Sequence, residues 1–208
     1  MQLEQRTDDW RKIRCGKVTA SRVSDVVAKT KTGWGASRNN YMAQLVAERL
    51  TGNPQEKQLS NAAIQWGIDT EPKARAAYEF YSGLTVTEIG FIKHPVIELA
   101  GCSPDGLVGE DGMVEIKCPN TATHIETLLG SAIDKEYLLQ MQFQMACAGR
   151  AWCDFCSYDP RLPADLELRV IRIHRDDQLI ASLETEITAF LEEVTKKVAL
   201  LQSLRLAA

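Results

Sequence analysis

Residues 101–119, GCSPDGLVGEDGMVEIKCP, hold four acids, one lysine, four glycines and two prolines. The stretch reads as strand, turn, strand: residues 109–112, GEDG, have the Gly and Asp content of a tight turn, with strand signals over 107–108 and 113–118. Side chains alternate faces along a strand, so Glu115 and Lys117 share one face while Val114 and Ile116 share the other. Folding back across the turn brings Asp105 near Glu115. Two carboxylates and one amine then converge on a small volume.

Two neighbouring carboxylates repel, and one takes up a proton unless a cation joins them. A hard divalent cation such as Mg²⁺ takes oxygen ligands at about 2.0–2.1 Å and keeps several waters. Asp105, Glu115 and the backbone carbonyl of Ile116 would make a partial shell, leaving positions for phosphate oxygens and a water. Lys117 would orient or deprotonate that water, or offset charge in the transition state. Glu-x-Lys by itself is a common pattern on the surface of an amphipathic strand. Ser103-Pro104-Asp105-Gly106 before the turn and Cys118-Pro119 after it set this copy apart.

Outward from the hairpin, apolar spacing and turn residues predict helices from Thr19 or Ser21 through Val27, over 40–50, over 62–81 (disturbed by Pro72) and over 135–148. Strands are expected over 84–88, 90–94, 152–158 and 166–174. A closing helix over 178–204 carries Ile180, Leu183, Ile187, Phe190, Val194, Val198, Leu201 and Leu204 at spacings of three and four, a stripe for the core or a subunit contact. Residues 29–40 and 51–60 read as loops, the first mobile and basic with one aromatic, Trp34. The order suggests an α/β fold with a central mixed β-sheet flanked by helices, within one domain over 1–208.

At 45% hydrophobic and 25% charged the composition is that of a globular protein. No apolar run approaches the ~18 residues that span a bilayer, and MQLEQRTDDW has no apolar signal segment, so no membrane contact and a cytoplasmic address are expected. Cys153 and Cys156 form a C-x-x-C, but His94, His124 and His174 are scattered; buried free thiols are expected rather than a zinc site. The net charge of −4 hides an uneven distribution. Residues 10–40 hold eight bases (Arg11, Lys12, Arg14, Lys17, Arg22, Lys29, Lys31, Arg38) against one acid, Asp25, whereas 61–159 hold fourteen acids against six bases. Phosphate on one side and a cation on the other would suit that polarity.

Pro104-Asp105 followed by Glu115-Ile116-Lys117 resembles the PD-(D/E)XK nuclease motif. The chain as a whole resembles the lambda-type exonucleases, the YqaJ-type viral recombinase family. The likeness runs through DDWRKIRCGKVTAS, WGIDTEPKARAAYEF, CSPDGLVGEDGMVEIKCP, YLLQMQFQMACAG and YDPR in order. It implies a restriction-endonuclease-like core over about 61–175, basic DNA-contacting elements over about 10–60, and a bacterial or phage-encoded source. The implied activity is Mg²⁺-dependent (with Mn²⁺ substituting and two ions per site), 5′-to-3′ degradation of linear double-stranded DNA. The product is a 3′ single-stranded tail for recombination with a single-strand annealing protein, and the assembly a homotrimeric ring.

By position, the resemblance makes Asp105, Glu115 and the Ile116 carbonyl metal ligands, Lys117 the catalytic lysine and Glu71 a helix-borne acid near the metals. Arg14, Ser21, Ser103 and Gln140 would hold a 5′-terminal phosphate, Lys31 and Lys29 would lie along DNA, and Ile64 would match an apolar wedge. A helix start at Ser21 would place an anion against free backbone N–H groups. Glu71, before Pro72, also suits a helix first turn, and Ile64 suits a core. Gln142 lies about 200° round the helix from Gln140, so only one of the two should face the site; Gln140 is favoured, Gln142 the fallback. A structure-selective or restriction-type endonuclease and a non-catalytic DNA-binding adaptor are the alternatives. The intact acid, acid and lysine set speaks against the adaptor.

Overall fold

The two strands expected on either side of the Gly-Glu-Asp-Gly turn do pair, at the heart of a larger sheet. The computed structural model describes residues 4–31, 33–55 and 61–206. Its elements are α1 (Asp8–Arg14), β1 (Val18–Thr19), a 3-10 turn (Ala20–Arg22), α2 (Val23–Val26), β2 (Lys29–Thr30), β3 (Gly33–Trp34), α3 (Ala36–Thr51) and α4 (Ala62–Ser82). There follow β4 (Val86–Thr87), β5 (Ile92–Lys93), β6 (Ala100–Cys102), β7 (Gly106–Val108), β8 (Gly112–Lys117), α5 (Thr121–Leu128), α6 (Lys135–Ala148), β9 (Trp152–Tyr158), β10 (Leu168–His174) and α7 (Asp177–Leu206). The expected loop over 51–60 falls partly on residues 56–60, outside the described residues.

Five strands form a mixed sheet in the order β10-β9-β8-β7-β4. β8 and β9 run parallel with Glu115 level with Phe155, and the other neighbours run antiparallel. A parallel pair needs a long crossover, which α5 and α6 provide. β1, β6 and β5 make a smaller sheet, and β2 and β3 a short ribbon.

The alternation along β8 decides what packs where. Val114 and Ile116 face α4, meeting Ala74 and Tyr78. Met113 faces α6, meeting Met141 and Met145. A different side of α6, with Leu139, Phe143, Ala146 and Cys147, joins α2, α3 and α7 through Val26, Tyr41, Leu45, Ile187 and Phe190. α6 is therefore a wall shared by two cores. On the other side, the buried Tyr78 donates its hydroxyl proton to Asp154 (2.8 Å), and Arg172 grips the same carboxylate through two nitrogens at 2.8 and 2.9 Å. That network fixes α4 to β9 and β10.

Several expectations need correction. α1 has no counterpart among the helices that apolar spacing predicts; Thr7 caps it and Asp8 and Asp9 sit in its first turn. Instead of one helix from Thr19 or Ser21 to Val27 there is a 3-10 turn and the single turn of α2. The mobile loop expected at 29–40 is the β2–β3 ribbon followed by the start of α3. α4 continues through Pro72, which removes one backbone donor without ending the helix. The stripe on α7 is core from Ile180 to Val194, but Leu201 and Leu204 are exposed, as is Leu200.

The basic segment is less free than its composition implies. Arg38 is only 2% exposed, donates to Val26 O, and holds Glu193 of α7 through two nitrogens at 3.2 and 2.8 Å. Its guanidinium lies 3.9 Å from the Trp34 ring centre. Lys29 pairs with Glu186 at 2.8 Å. Arg11 and Arg22 pair with Asp8 and Asp25. Arg38 is thus a structural ion pair rather than a DNA contact. Among the described residues no helix is long and apolar enough to cross a membrane.

Arg38→Ala empties a buried site and removes the hydrogen bonds to Val26 O and Glu193, so it lowers unfolding stability by about 2 kcal/mol. Lys31→Ala, at the exposed tip of the ribbon, costs less than about 0.5 kcal/mol. Urea midpoints of the two variants check both values.

Candidate active site

The β7–β8 register pairs Gly106 with Val114 and Val108 with Gly112. One step further along, Asp105 meets the end of β8, and its Oδ2 accepts the Ile116 N–H at 2.7 Å. Glycine is required at 106 by close approach: a Cβ there would lie 2.0 Å from Val86 Cγ1. Glu115 is 1% exposed. A buried carboxylate is costly unless hydrogen-bonded, and this one has three donors. Its Oε1 accepts from Lys117 Nζ (2.6 Å) and Gln140 Nε2 (2.7 Å), and its Oε2 from Gln144 Nε2 (2.8 Å). Lys117 Nζ also stands 4.7 Å over the Tyr137 ring, which stacks on Phe155.

The electrostatics follow from this crowding. Burial, then the nearby Glu115 charge, pushes the Asp105 carboxyl well above the usual carboxylate range, against the opposing pull of Lys117. Burial alone would lower Lys117, but Glu115 and Asp105 together outweigh it and hold the ammonium form firmly. Cys118 is pushed up to about 12, chiefly by burial and then by Glu71 and Asp105, so its thiol stays neutral.

Glu71 sits in the middle of α4, not at a first turn, and is gripped by two arginines. Arg6 reaches Oε2 at 2.5 Å and Arg75 reaches Oε1 at 2.9 Å. An open cleft of about 510 Å³ is lined by Arg6, Asn61, Ile64, Glu71, Asp105, Lys117, Cys118 and Tyr137 among others.

Among the described residues no group of three or more His, Cys, Asp or Glu side chains forms a ready metal cage. The donor set nevertheless fits a hard cation. Asp105, Glu115 and the Ile116 carbonyl all offer oxygens, and burial beside Glu115 makes the Asp105 carboxylate form unfavourable until a cation joins it. A cation that keeps waters and shares substrate oxygens needs only one or two carboxylates.

The other residues singled out in the sequence fall into place unevenly. Gln140 faces Glu115, whereas the buried Gln142 donates to His174 O and accepts from Asp176 N, pinning the β10–α7 junction. Gln144, one helical turn beyond Gln140, is a site residue that the sequence reading does not single out; the Gln-x-x-x-Gln spacing is the available signal. Ser103 Oγ accepts the Trp10 indole N–H at 2.9 Å, and the Arg14 guanidinium lies 3.9 Å from the Trp10 ring centre, so Trp10 links the two. Ser21 is exposed on the 3-10 turn, which packs against α6; no multi-turn helix starts there. Lys31 is exposed, and Lys29 is spent on Glu186. Ile64 is 40% exposed at the cleft rather than buried in a core.

Known proteins share this fold. The YqaJ-like viral recombinase domain matches residues 9–151. The fold superposes on an alkaline exonuclease (LHK-Exo) from Laribacter hongkongensis with a TM-score of 0.89 at 53% identity, covering 97% of this chain and 99% of that one. The same protein in complex with dAMP gives the same values. A phage related exonuclease from Haemophilus somnus 129PT shares the fold at a TM-score of 0.68 and 15% identity, over 92% of this chain and 99% of that one. No curated protein matched the chain.

In the metal-free protein Asp105 favours its proton in the fold. Its contribution to stability is full below the ordinary Asp pKa of about 3.9 and declines as pH rises from there through the raised value. Asp105→Asn removes the charge and keeps an acceptor for Ile116 N–H. At mildly alkaline pH in EDTA the variant melts higher than the parent. If a divalent cation such as Mg²⁺ binds Asp105, then at a hundredfold over its Kd it stabilises the parent by about 2.7 kcal/mol and the variant hardly at all. Thermal melts with and without Mg²⁺ read both effects.

Proposed function

Because this chain belongs to the YqaJ-like viral recombinase family, we propose that it is a Mg²⁺-dependent exonuclease on linear double-stranded DNA, degrading one strand from its 5′ end to leave a 3′ tail. The enzyme is a nuclease. The observation that supports phosphodiester chemistry in this cleft is the Lys117 ammonium, held on Glu115 at 2.6 Å, on a wall that Asp105 also lines; the polarity is what the family implies.

Asp105, Glu115 and the Ile116 carbonyl would hold one ion, and Glu71 would serve a second once an arginine lets it go; Mn²⁺ would substitute. When bound, the ions supply Lewis acidity and a water of lowered pKa. The chain's own groups do the rest. Lys117, held on Glu115, would orient or deprotonate the attacking water or offset charge on the phosphoryl oxygens. Gln140 and Gln144 fix both oxygens of Glu115, so the carboxylate cannot rotate. Arg14, Ser21, Ser103 and Gln140 form the proposed pocket for the 5′-terminal phosphate, with Trp10 holding Arg14 and Ser103 together. Ile64, apolar and exposed at the cleft, suits contact with bases. Lys31, and Lys29 if it leaves Glu186, would follow the backbone.

A homotrimeric ring and an annealing partner belong to the same proposal, as does a cytoplasmic address. Leu200, Leu201 and Leu204 at the end of α7, and Phe80 and Tyr81 near the end of α4, are exposed apolar surfaces that such contacts could cover.

The test is digestion of a plasmid before and after linearisation, with duplexes labelled at either end and with or without a 5′-phosphate. The expected result is Mg²⁺-dependent loss of label from the 5′ ends of linear DNA, fastest with the phosphate, and an untouched circle. Nicking of the circle would make it an endonuclease; binding without digestion would make it an adaptor. Lys117→Ala lowers kcat by about 100-fold or more. Gln144→Ala, which only loosens Glu115, lowers kcat by about 10- to 100-fold with little change in KM. Single-turnover rates on a 5′-phosphorylated duplex distinguish the two.

A further inference from the structure

The segment ahead of α1 plays no part in the chemistry above, yet it is built onto the cleft. Gln5 Nε2 donates to Ile89 O and to Pro104 O, both at 2.8 Å, which clamps it against the chain leading into Asp105. Arg6 follows with φ +69°, and among the described residues it is the one non-glycine with positive φ. That conformation is costly for a side chain with a β-carbon and free for glycine. Strain of this kind gathers at functional sites.

What the strained backbone delivers is a guanidinium at the lip of the cleft, resting on Glu71 Oε2. Glu71 has a second guanidinium in Arg75, which pairs with Oε1 and with Glu88 as well. The two arginines differ in setting: the Arg75 side chain is 15% exposed and that of Arg6 48%. A pair as open as Arg6–Glu71 adds little to stability, so it does not account for the strain. A guanidinium fork at the mouth of a nuclease cleft has an obvious alternative acceptor in a phosphate, which it can grip through two nitrogens.

We propose that Arg6 is a substrate ligand: on DNA binding its guanidinium leaves Glu71 Oε2 for a backbone phosphate of the strand in the cleft. The exchange frees one oxygen of Glu71 only when substrate is present, so the acid is unmasked together with the arrival of DNA. This rests on the nuclease reading above.

The test uses the whole protein with Ca²⁺ in place of Mg²⁺ and a blunt duplex, measuring binding from about 50 to 200 mM salt. Removing a side chain that neutralises one phosphate lowers the slope of log K against log salt by about one. Arg6→Gly is the informative variant, because glycine relieves φ +69° and its melting temperature should equal or exceed the parent's. It is expected to show a slope lower by about one and a raised KM, while Arg6→Lys keeps the parental slope. A parental slope in Arg6→Gly would overturn the proposal, and a lowered melting temperature with that slope would make Arg6 a structural pin for Glu71. A parent that neither binds nor digests DNA would sink the nuclease reading instead.

Discussion

The buried carboxylate of Glu115 is the constraint around which the other parts are arranged. At 1% exposure it cannot rely on water, so the protein must supply its hydrogen bonds. One donor comes from its own strand, Lys117, and two from α6, Gln140 and Gln144. The two glutamines are four residues apart and therefore project from one side of the helix onto the two oxygens of one carboxylate. Rotation or translation of α6 would leave a buried charge short of partners. The acid thus fixes the helix as firmly as the helix fixes the acid.

That reciprocity explains why α6 is buried on several sides. Leu139 and Phe143 enter one core, Met141 and Met145 another, and Gln142 ties the start of α7 to the end of β10. A helix committed in this way has no simple amphipathic stripe. It also transmits position: the elements carrying Ser21 and Arg38 pack against α6 and α7, so the basic side of the molecule is registered to the acids without touching them.

What can be read from the sequence follows the range of the interactions. β9 is legible to the residue from its local apolar run and α6 from its length between turn residues, and β8 to within one residue. β1 and β6 are not, since strands of two or three residues show no measurable alternation and exist only by pairing with neighbouring strands. Asp105, Glu115 and Lys117 are legible because a tight turn joins them. The roles of Lys29 and Arg38 are hidden for the opposite reason: Glu186 and Glu193, which neutralise them, lie on α7, more than 150 positions away. Gln144 escapes a reading that weighs only Gln140 against Gln142. Helical geometry pairs 140 with 144, and only the location of Glu115 shows what they pair for.

Positive partners are unevenly distributed across the three acids. Glu115 has Lys117; Glu71 has Arg6 and Arg75. Asp105, among the hydrogen bonds of the described residues, has a backbone N–H. Glu115 and Glu71 each hold a cationic side chain directly, whereas Asp105 feels only the more distant pull of Lys117. This is why Asp105 is pushed upward by burial and by Glu115 and Glu71 together. Under the proposed function, a hard cation would meet its strongest electrostatic demand at Asp105, next to a carboxylate already aimed by three donors. Proteins that needed these acids only for folding would gain by replacing one of them with an amide. Retaining all three, with the imbalance unrelieved, makes sense where a divalent ion and a phosphate enter together.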